Sequence, residues 1–192
     1  MVAKMGNKSV QKKKYIVEKA REVFCKNGYR KVTMKDIVDA CDISRGGLYL
    51  YFSDTKSLFE AVLDEEKTDK DILEAIQEDE LTPGEALLTY LEAQKKVILK
   101  KDSLVAATFE YHFEQKENGK SVREESIAGL EKLIAEGVAQ EWMICENPAA
   151  AARNMVYVLD GLRVTSQTVG ITENQIDQEI EYILGTLGLV VE

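Results

Sequence analysis

The chain has 192 residues, of which 45% are hydrophobic and 31% are charged, and its formal net charge is −9. These fractions are ordinary for a globular protein, and the length allows one or two domains with a real hydrophobic core. The N-terminus is polar, and no apolar run approaches the ~18 residues of a membrane span. We therefore expect a cytoplasmic protein that makes no membrane contact. Its three cysteines, Cys25, Cys41 and Cys145, are widely spaced, which favours reduced thiols and argues against a metal site.

The charge is unevenly distributed along the chain. Residues 1–60 hold 13 Lys and Arg against 7 Asp and Glu, a formal charge of +6. Residues 61–192 hold 12 against 27, a formal charge of −15. A basic N-terminal third on an acidic body is typical of a protein with one end facing DNA.

The periodicity of apolar residues is helical almost throughout, so the sequence predicts an all-α fold of about nine helices. The first helix is predicted from about Ser9 to Asn27, with a buried stripe that includes Ile16, Ala20 and Phe24. Gly28 is its stop signal.

Residues 32–52, VTMKDIVDACDISRGGLYLYF, contain two short helix signatures separated by a tight turn. Thr33 and Ser44 are each an N-cap candidate that follows an apolar residue and precedes another at the fourth helical position. Such a pair predicts a helix-turn-helix unit, whose second helix can enter a DNA major groove. Gly46 and Gly47 each cost about 1 kcal/mol of helix stability relative to Ala, but they would allow close approach to DNA. The alternative is a loop and short helix in any small bundle.

The rest of the chain predicts longer helices. One starts near Asp54 and continues through the charged segment at residues 65–71 as a connector. Further helices are expected from Pro83, capped by Thr82, to about Lys101; from Asp102 to about residues 118–119; and from about Ser121 to Trp142. The last two are expected from Pro148, capped by Asn147, to about Val169, and after a capping box of Thr172 and Gln175.

The helix-turn-helix segment resembles the DNA-binding signature of the tetracycline-repressor (TetR) family over roughly residues 9–62. The matching residues are Thr33, Ile37, Ala40, Ile43, Ser44, Gly47, Leu48, Tyr49, Tyr51, Phe52 and Leu58. Two positions depart from the family pattern: Asp42 replaces a common Gly in the turn, and Thr55, followed by Lys56, replaces a usual Lys. Asp tolerates the left-handed conformation better than most residues, so we expect the turn to form. The resemblance implies a DNA-binding domain over residues 1–54 and a ligand-binding and dimerisation domain over residues 55–192.

The candidate DNA-binding residues surround the start of the second helix of the motif. Arg45 can bond guanine or, as an equal alternative, a phosphate. Tyr49 and Tyr51 can contact phosphates or thymine methyl groups, although one of them could pack inside. Lys35, Lys56 and the run at residues 12–14 would add contacts to phosphates, although a solvated tail is the commoner meaning of such a run. The full candidate set is Thr33, Lys35, Ser44, Arg45, Gly46, Gly47, Tyr49, Tyr51 and Lys56.

The last two helices carry apolar stripes that admit two interpretations. They can pack inside one subunit, or they can pair with the same helices of a second subunit, as the resemblance implies. A two-fold dimer also suits a helix-turn-helix protein that binds two half-sites. The predicted interface residues are Met155, Leu159, Leu162, Ile180, Leu184 and Leu187.

Seven residues in the second half are candidates for an effector pocket, although ordinary core packing is the commoner meaning of such aromatic residues. They are Tyr90, Phe109, Tyr111, His112, Phe113, Trp142 and Tyr157. The resemblance implies a cavity for an inducer but does not place its residues.

These patterns favour a transcriptional regulator that binds double-stranded operator DNA as a homodimer and is a repressor released by a small hydrophobic or amphipathic effector. The alternatives are a DNA-binding regulator controlled by a protein partner or by redox chemistry, and an all-helical enzyme. The sequence has no Gly-rich phosphate loop, nucleophile elbow or metal-ligand spacing, and its single histidine is His112. We therefore expect no enzyme activity, no cofactor and no metal.

Overall fold

The structure, a computed structural model, describes residues 7–66, 69–77 and 80–189. Within these ranges the chain forms ten α-helices and no β-strand, which confirms the all-α class. No helix in this described part is long and apolar enough to cross a membrane.

The helices fall into two compact units. The first comprises the described residues of 1–66 and 102–114, and the second comprises those of 67–101 and 115–192. The first unit holds α1 (Asn7–Asn27), α2 (Met34–Cys41), α3 (Arg45–Tyr49), α4 (Thr55–Leu63) and α7 (Val105–Glu114). The second holds α5 (Asp69–Gln77), α6 (Pro83–Leu99), α8 (Lys116–Ala139), α9 (Pro148–Thr168) and α10 (Glu173–Thr186).

The first unit is built on α1, whose apolar stripe packs against α2, α4 and α7. Ile16, Ala20 and Phe24 of that stripe are fully buried, as the periodicity predicts. An aromatic cluster closes the core: the ring centroids of Phe24 and Phe59 lie 4.7 Å apart, and those of Phe59 and Tyr111 lie 5.2 Å apart. Edge-to-face and tilted pairs of this kind add to the stabilisation from buried area. This core fixes the platform on which α2 and α3 stand.

The second unit buries one face of each of its five helices in a single core. Apolar residues from α6, α8, α9 and α10 are buried there, including Leu87, Leu91, Leu130, Ile134, Leu159, Ile176 and Leu184. The caps predicted for three of these helices are confirmed: Thr82 accepts from Glu85 N–H, Asn147 from Ala150 N–H, and Thr172 from Gln175 N–H.

Two predicted helix boundaries are wrong. The helix after Asp54 is not a continuous connector, because α4 ends at Leu63 and a separate helix, α5, begins at Asp69. Residues 118–119 lie inside α8, and the break occurs at Gln115, whose φ of −109° and ψ of 67° are not helical. Gly119 is buried, so tertiary packing overrides its weak helix propensity.

The two units also differ from the predicted division after residue 54. Helix α4 packs on α1 and contributes Leu58, Phe59 and Val62 to the first core. Helix α7 is distant in sequence but shares the same core through Ala107 and Tyr111.

Candidate nucleic-acid interface

Helix α2 is fixed at both ends by the residues predicted to do so. The Thr33 hydroxyl oxygen accepts from Asp36 N–H, and the Asp36 carboxylate accepts from Thr33 N–H at 2.8 Å, which completes a capping box. These hydrogen bonds from Thr33 hold the pKa of Asp36 below its usual value. At the other end Asp42 adopts the left-handed conformation, with φ and ψ both 50°. The expectation that Asp would serve in place of Gly at this turn is confirmed.

Helix α3 begins after Ser44, whose hydroxyl accepts from Gly47 N–H at 3.1 Å. Leu48 is its inward residue and is fully buried, and Phe52 is buried just beyond the helix. The helix is short and its two glycines have low helix propensity, so its stability depends on the burial of Leu48 and Phe52 and on the Ser44 cap.

The outward face of α3 is open. Arg45, Gly46, Tyr49 and Leu50 are all exposed, and no atom of the described residues lies within 4 Å of the position that a Cβ on Gly46 would occupy. Leu50 is 83% exposed, which is unusual for a large apolar side chain. The sequence prediction missed it, although its spacing of four from Gly46 places it on the same helical face. This face offers a guanidinium, a phenol, an aliphatic tip and bare backbone.

The N-terminal part of α1 adds a positive edge to this face. A Cβ on Gly47 would lie 4.0 Å from Lys12 Nζ. The Ser9 hydroxyl donates to the Tyr51 hydroxyl at 3.3 Å, and Lys13 Nζ lies 5.5 Å from the centroid of the Phe52 ring. Residues of the basic run therefore lie beside α3, where sequence alone left a solvated tail as the commoner interpretation.

The remaining candidates for phosphate contact are placed less uniformly. Lys35 is exposed at the start of α2. The Thr33 hydroxyl donates to the Asp36 carboxylate at 2.7 Å, so a phosphate would compete with that carboxylate. Lys56 lies 3.9 Å from Glu60, and a phosphate contact would compete with this ion pair as well.

Comparison with known proteins agrees with this geometry. The profile of the family described as "Bacterial regulatory proteins, tetR family" matches residues 16–62, the segment that holds α2, α3 and most of α1 and α4. This segment of the chain is therefore similar to the tetR family of bacterial regulatory proteins. Over 49 residues it is 45% identical to YfiR of Bacillus subtilis (strain 168), an uncharacterized HTH-type transcriptional regulator. That alignment covers 26% of this chain and only 24% of the length of YfiR.

The fold likeness extends over nearly the whole chain. The structure of the fatty acid degradation regulator FadR from Bacillus halodurans superposes with a TM-score of 0.74, at 17% identity, over 94% of this chain and 96% of FadR. AibR, solved in complex with isovaleryl coenzyme A and operator DNA, superposes with a TM-score of 0.67, at 18% identity, over 89% of this chain and 97% of AibR. At these identities the likeness shows the fold.

The structure does not gather the seven predicted pocket residues in its second unit. Phe109, Tyr111, His112 and Phe113 belong to α7 of the first unit. Tyr111 is core: it packs on Tyr29 and donates to Glu60 at 2.6 Å. In the second unit, Trp142 and Tyr157 are half exposed or more, and Tyr90 alone of the seven is buried there. The buried members of this set, Tyr90 and Tyr111, belong to two separate cores, and the effector pocket stays a prediction.

The six predicted interface residues of the last two helices are core residues of a single chain. Each is at most 8% exposed in α9, α10 or the residue that follows α10: Met155, Leu159, Leu162, Ile180, Leu184 and Leu187. These side chains pack inside one chain, and their role in a contact between subunits stays a prediction. The outward faces of the same helices present Tyr157, at 58% exposure, and Tyr182, at 71%.

Proposed function

We propose that this protein is a sequence-specific DNA-binding transcriptional regulator, a cytoplasmic homodimer that acts as a repressor and is released from its operator by a small molecule. One observation carries the proposal: α3 exposes Arg45, Gly46, Tyr49 and Leu50 on one face, beside Lys12. This face lies in the basic third of an acidic chain. It has the charge and the open backbone that a major groove requires.

The face divides into two kinds of contact. Arg45 and Tyr49 face base edges, where a guanidinium can bond guanine O6 and N7 together. Leu50 contacts a thymine methyl group, the one apolar feature of the groove. Side chains that contact phosphates are those of Lys12, Lys35, Tyr51 and Lys56. At the N-termini of α2 and α3, further phosphate contacts come from Thr33, Ser44 and the backbone of Gly46 and Gly47. All of these contacts position the unit on the DNA without specifying sequence.

A two-fold dimer places two such faces on one operator. The outward faces of α9 and α10 suit this role because they carry exposed aromatic rings beside small residues. In the part of the chain that the structure describes, no atom lies within 4 Å of the position that a Cβ on Gly161 or Gly185 would occupy, so both glycines leave room for a helix of a second copy. Exposed Tyr157 and Tyr182 lie one turn away from them.

Small-molecule control is proposed for the second unit. AibR, with the same fold, has been solved with isovaleryl coenzyme A, and FadR is a regulator of fatty acid degradation. We extend to this chain the class of a small hydrophobic or amphipathic effector. Release requires that the effector prefer a conformation in which the two recognition helices no longer fit their half-sites.

The test begins with selection of binding sites from random duplex DNA, followed by titration of the selected operator at several salt concentrations. Affinity should fall steeply with salt, because lysines and arginines on phosphates release counterions. Lys12→Ala should weaken binding to all sequences about equally and reduce the slope of log K against log salt by about 1. Lys132→Ala, an exposed lysine of α8, is the matched control and should leave the slope unchanged. A failure to enrich any sequence, or an affinity indifferent to salt, contradicts the proposal.

A further inference from the structure

A charged cluster lies inside the second unit, on three helices. Arg163 of α9 donates through Nη2 to Asp69 Oδ1 of α5 at 2.9 Å and through Nη1 to Asp160 Oδ1 at 3.0 Å. Arg163 also donates to Gln94 Oε1 of α6, and Gln94 Nε2 donates to Asp69 Oδ1 at 3.0 Å. The Arg163 and Asp69 side chains are only 15% and 16% exposed, and Gln94 is fully buried. Two donors thus converge on one oxygen of the Asp69 carboxylate.

Tyr90 adds a third donor to this cluster. It is fully buried one turn before Gln94 on α6, and its hydroxyl lies near the Asp69 carboxylate without forming a hydrogen bond of normal geometry to any residue that the structure describes. Burial and the charge of Asp69 raise the pKa of Tyr90, so the phenol keeps its proton and remains a donor. A buried hydroxyl without a well-placed acceptor is costly and rare, so a carboxylate placed closer to Tyr90 than that of Asp69 would gain a hydrogen bond.

These observations describe a carboxylate-binding site that the chain fills with its own side chain. We infer that Tyr90, Gln94 and Arg163 bind the carboxylate of a small monocarboxylic acid, which takes the place of the Asp69 carboxylate and accepts a well-formed hydrogen bond from Tyr90. The inference deepens the proposed function, because it names the chemical class of the effector.

Charge balance favours exchange over addition. Arg163 pairs with Asp69 and Asp160, and Asp160 also pairs with Arg123, so two positive and two negative charges already balance. A further anion at this place would be buried without compensation. When one carboxylate replaces another, the buried charge is unchanged. A neutral ligand would leave Arg163 with one partner fewer, so alcohols and amides of the same shape should not displace Asp69.

The exchange also provides a route to regulation. Asp69 is the first residue of α5 and follows Glu66, the last residue of that segment of the first unit, by three positions. A carboxylate that displaces Asp69 frees the start of α5 from α9. The ligand therefore binds more tightly to the conformation in which Asp69 no longer contacts Arg163. This difference in affinity between two conformations is what regulation by a ligand requires.

The decisive experiment is chemical rescue of an Asp69→Ala variant, followed by thermal unfolding without DNA. The variant should melt at a lower temperature than the wild type. Sodium butyrate and sodium octanoate should raise its melting temperature by roughly 5–10 °C at about 100 times Kd. Sodium chloride, butanol and butyramide should not. The wild type should bind the same acids about tenfold or more weakly, because Asp69 competes as a tethered carboxylate.

Further variants connect the effect to the cluster. Glu74→Ala removes an exposed carboxylate from the same helix, is the matched control and should show no rescue. Tyr90→Phe removes only the hydroxyl and should weaken rescue of Asp69→Ala several-fold; Arg163→Gln should abolish it. If Asp69→Ala does not fold, calorimetric titration of butyrate into the wild type and Tyr90→Phe takes its place, with weaker binding expected for the variant.

No rescue of a folded Asp69→Ala variant, equal rescue by butanol, or butyrate binding indifferent to Tyr90→Phe overturns the inference. The outcome is separable from the proposed function, since the readout contains no DNA. If butyrate rescues Asp69→Ala but the protein selects no operator, the carboxylate site is supported and the proposed function is refuted. If the protein binds an operator but butyrate gives no rescue, the proposed function is supported and the carboxylate site is refuted.

Discussion

The Arg45 guanidinium lies over the ring of Tyr49, with its central carbon 5.6 Å from the ring centroid. The two residues are one helical turn apart on the exposed face of α3. A cation–π contact at an exposed site is worth about 0.5–1 kcal/mol, enough to reduce the freedom of the Arg45 side chain before DNA arrives. The two candidates for base contact are therefore coupled, and substitutions of them should not be additive.

Arg45→Ala should cost about 1–3 kcal/mol of binding free energy on the selected operator and should relax preference at one base pair in each half-site. Nonspecific affinity should stay nearly intact. Tyr49→Leu removes the ring on which Arg45 rests and should reproduce part of the loss, with the double variant losing less than the sum. Titration of the operator and its single-base variants measures these effects. An equal loss of affinity on every sequence would assign Arg45 to a phosphate.

Leu50 allows a test at the level of one methyl group. Thymine and uracil differ only in the C5-methyl, so a duplex with deoxyuridine at one operator position removes the feature that Leu50 is proposed to contact. At one position per half-site the wild type should prefer thymine, whereas Leu50→Ala should bind both duplexes equally. Val10→Ala, another exposed apolar residue of the first unit, is the control and should keep the preference. If Leu50→Ala retains the full preference at every thymine, Leu50 does not contact a methyl group.

Local signals made much of the fold predictable. The caps at Thr33, Ser44, Thr82, Asn147 and Thr172 depend on hydrogen bonds over three residues, and each forms as expected. Two other boundaries, the end of α4 and the start of α8, were not predictable, because they do not depend on hydrogen bonds over three residues. Helix α4 stops after Leu63 although no Gly or Pro follows directly. Helix α8 continues through Gly119, which is buried in the second unit. Tertiary packing decides such positions, and the sequence does not display it.

The candidate site shows the same limit. Spacing identified Arg45 and Tyr49 as neighbours on one face, and the cap at Ser44 fixed where that face begins. Periodicity also marked Leu159 and Leu184 as apolar, but a stripe does not tell which element covers it. Both residues are covered by their own chain, and the polar cluster around Arg163 brings together residues up to 94 positions apart.

The capping box of α2 makes stability depend on pH in a defined direction. Hydrogen bonds from Thr33 lower the pKa of Asp36, so the folded state binds its proton less readily than the unfolded state. The contribution is complete above the unfolded pKa and is lost as pH falls through the folded pKa. The difference in unfolding free energy between the wild type and Asp36→Ala should thus be constant above about pH 5 and shrink below about pH 4.

Thr33→Ala removes the cap itself and should lower the free energy of unfolding by about 0.5–2 kcal/mol at neutral pH. In this background Asp36→Ala should have a smaller, less pH-dependent effect, because the hydroxyl donor to the carboxylate is missing. Denaturant titrations across the pH range measure all four proteins. A difference between wild type and Asp36→Ala that persists undiminished at the acid end would show that Asp36 acts by another route.

Assembly can be separated from folding because exposed and buried residues alternate on α10. Tyr182→Glu places a charge on an outward face and should yield a folded monomer with unchanged helical content. Leu184→Ala leaves a cavity inside one chain and should cost about 2–5 kcal/mol of stability without changing the mass of the folded species. The added methyl group of Gly185→Ala meets no atom of the described residues, so we attribute any weakening of the dimer to a contact between subunits. Val122→Glu, exposed on α8, is the control for added charge.

Sedimentation velocity with circular dichroism measures mass and fold together. If Tyr182→Glu and Tyr157→Glu both sediment as the wild type does, the outward faces of α9 and α10 do not join the subunits.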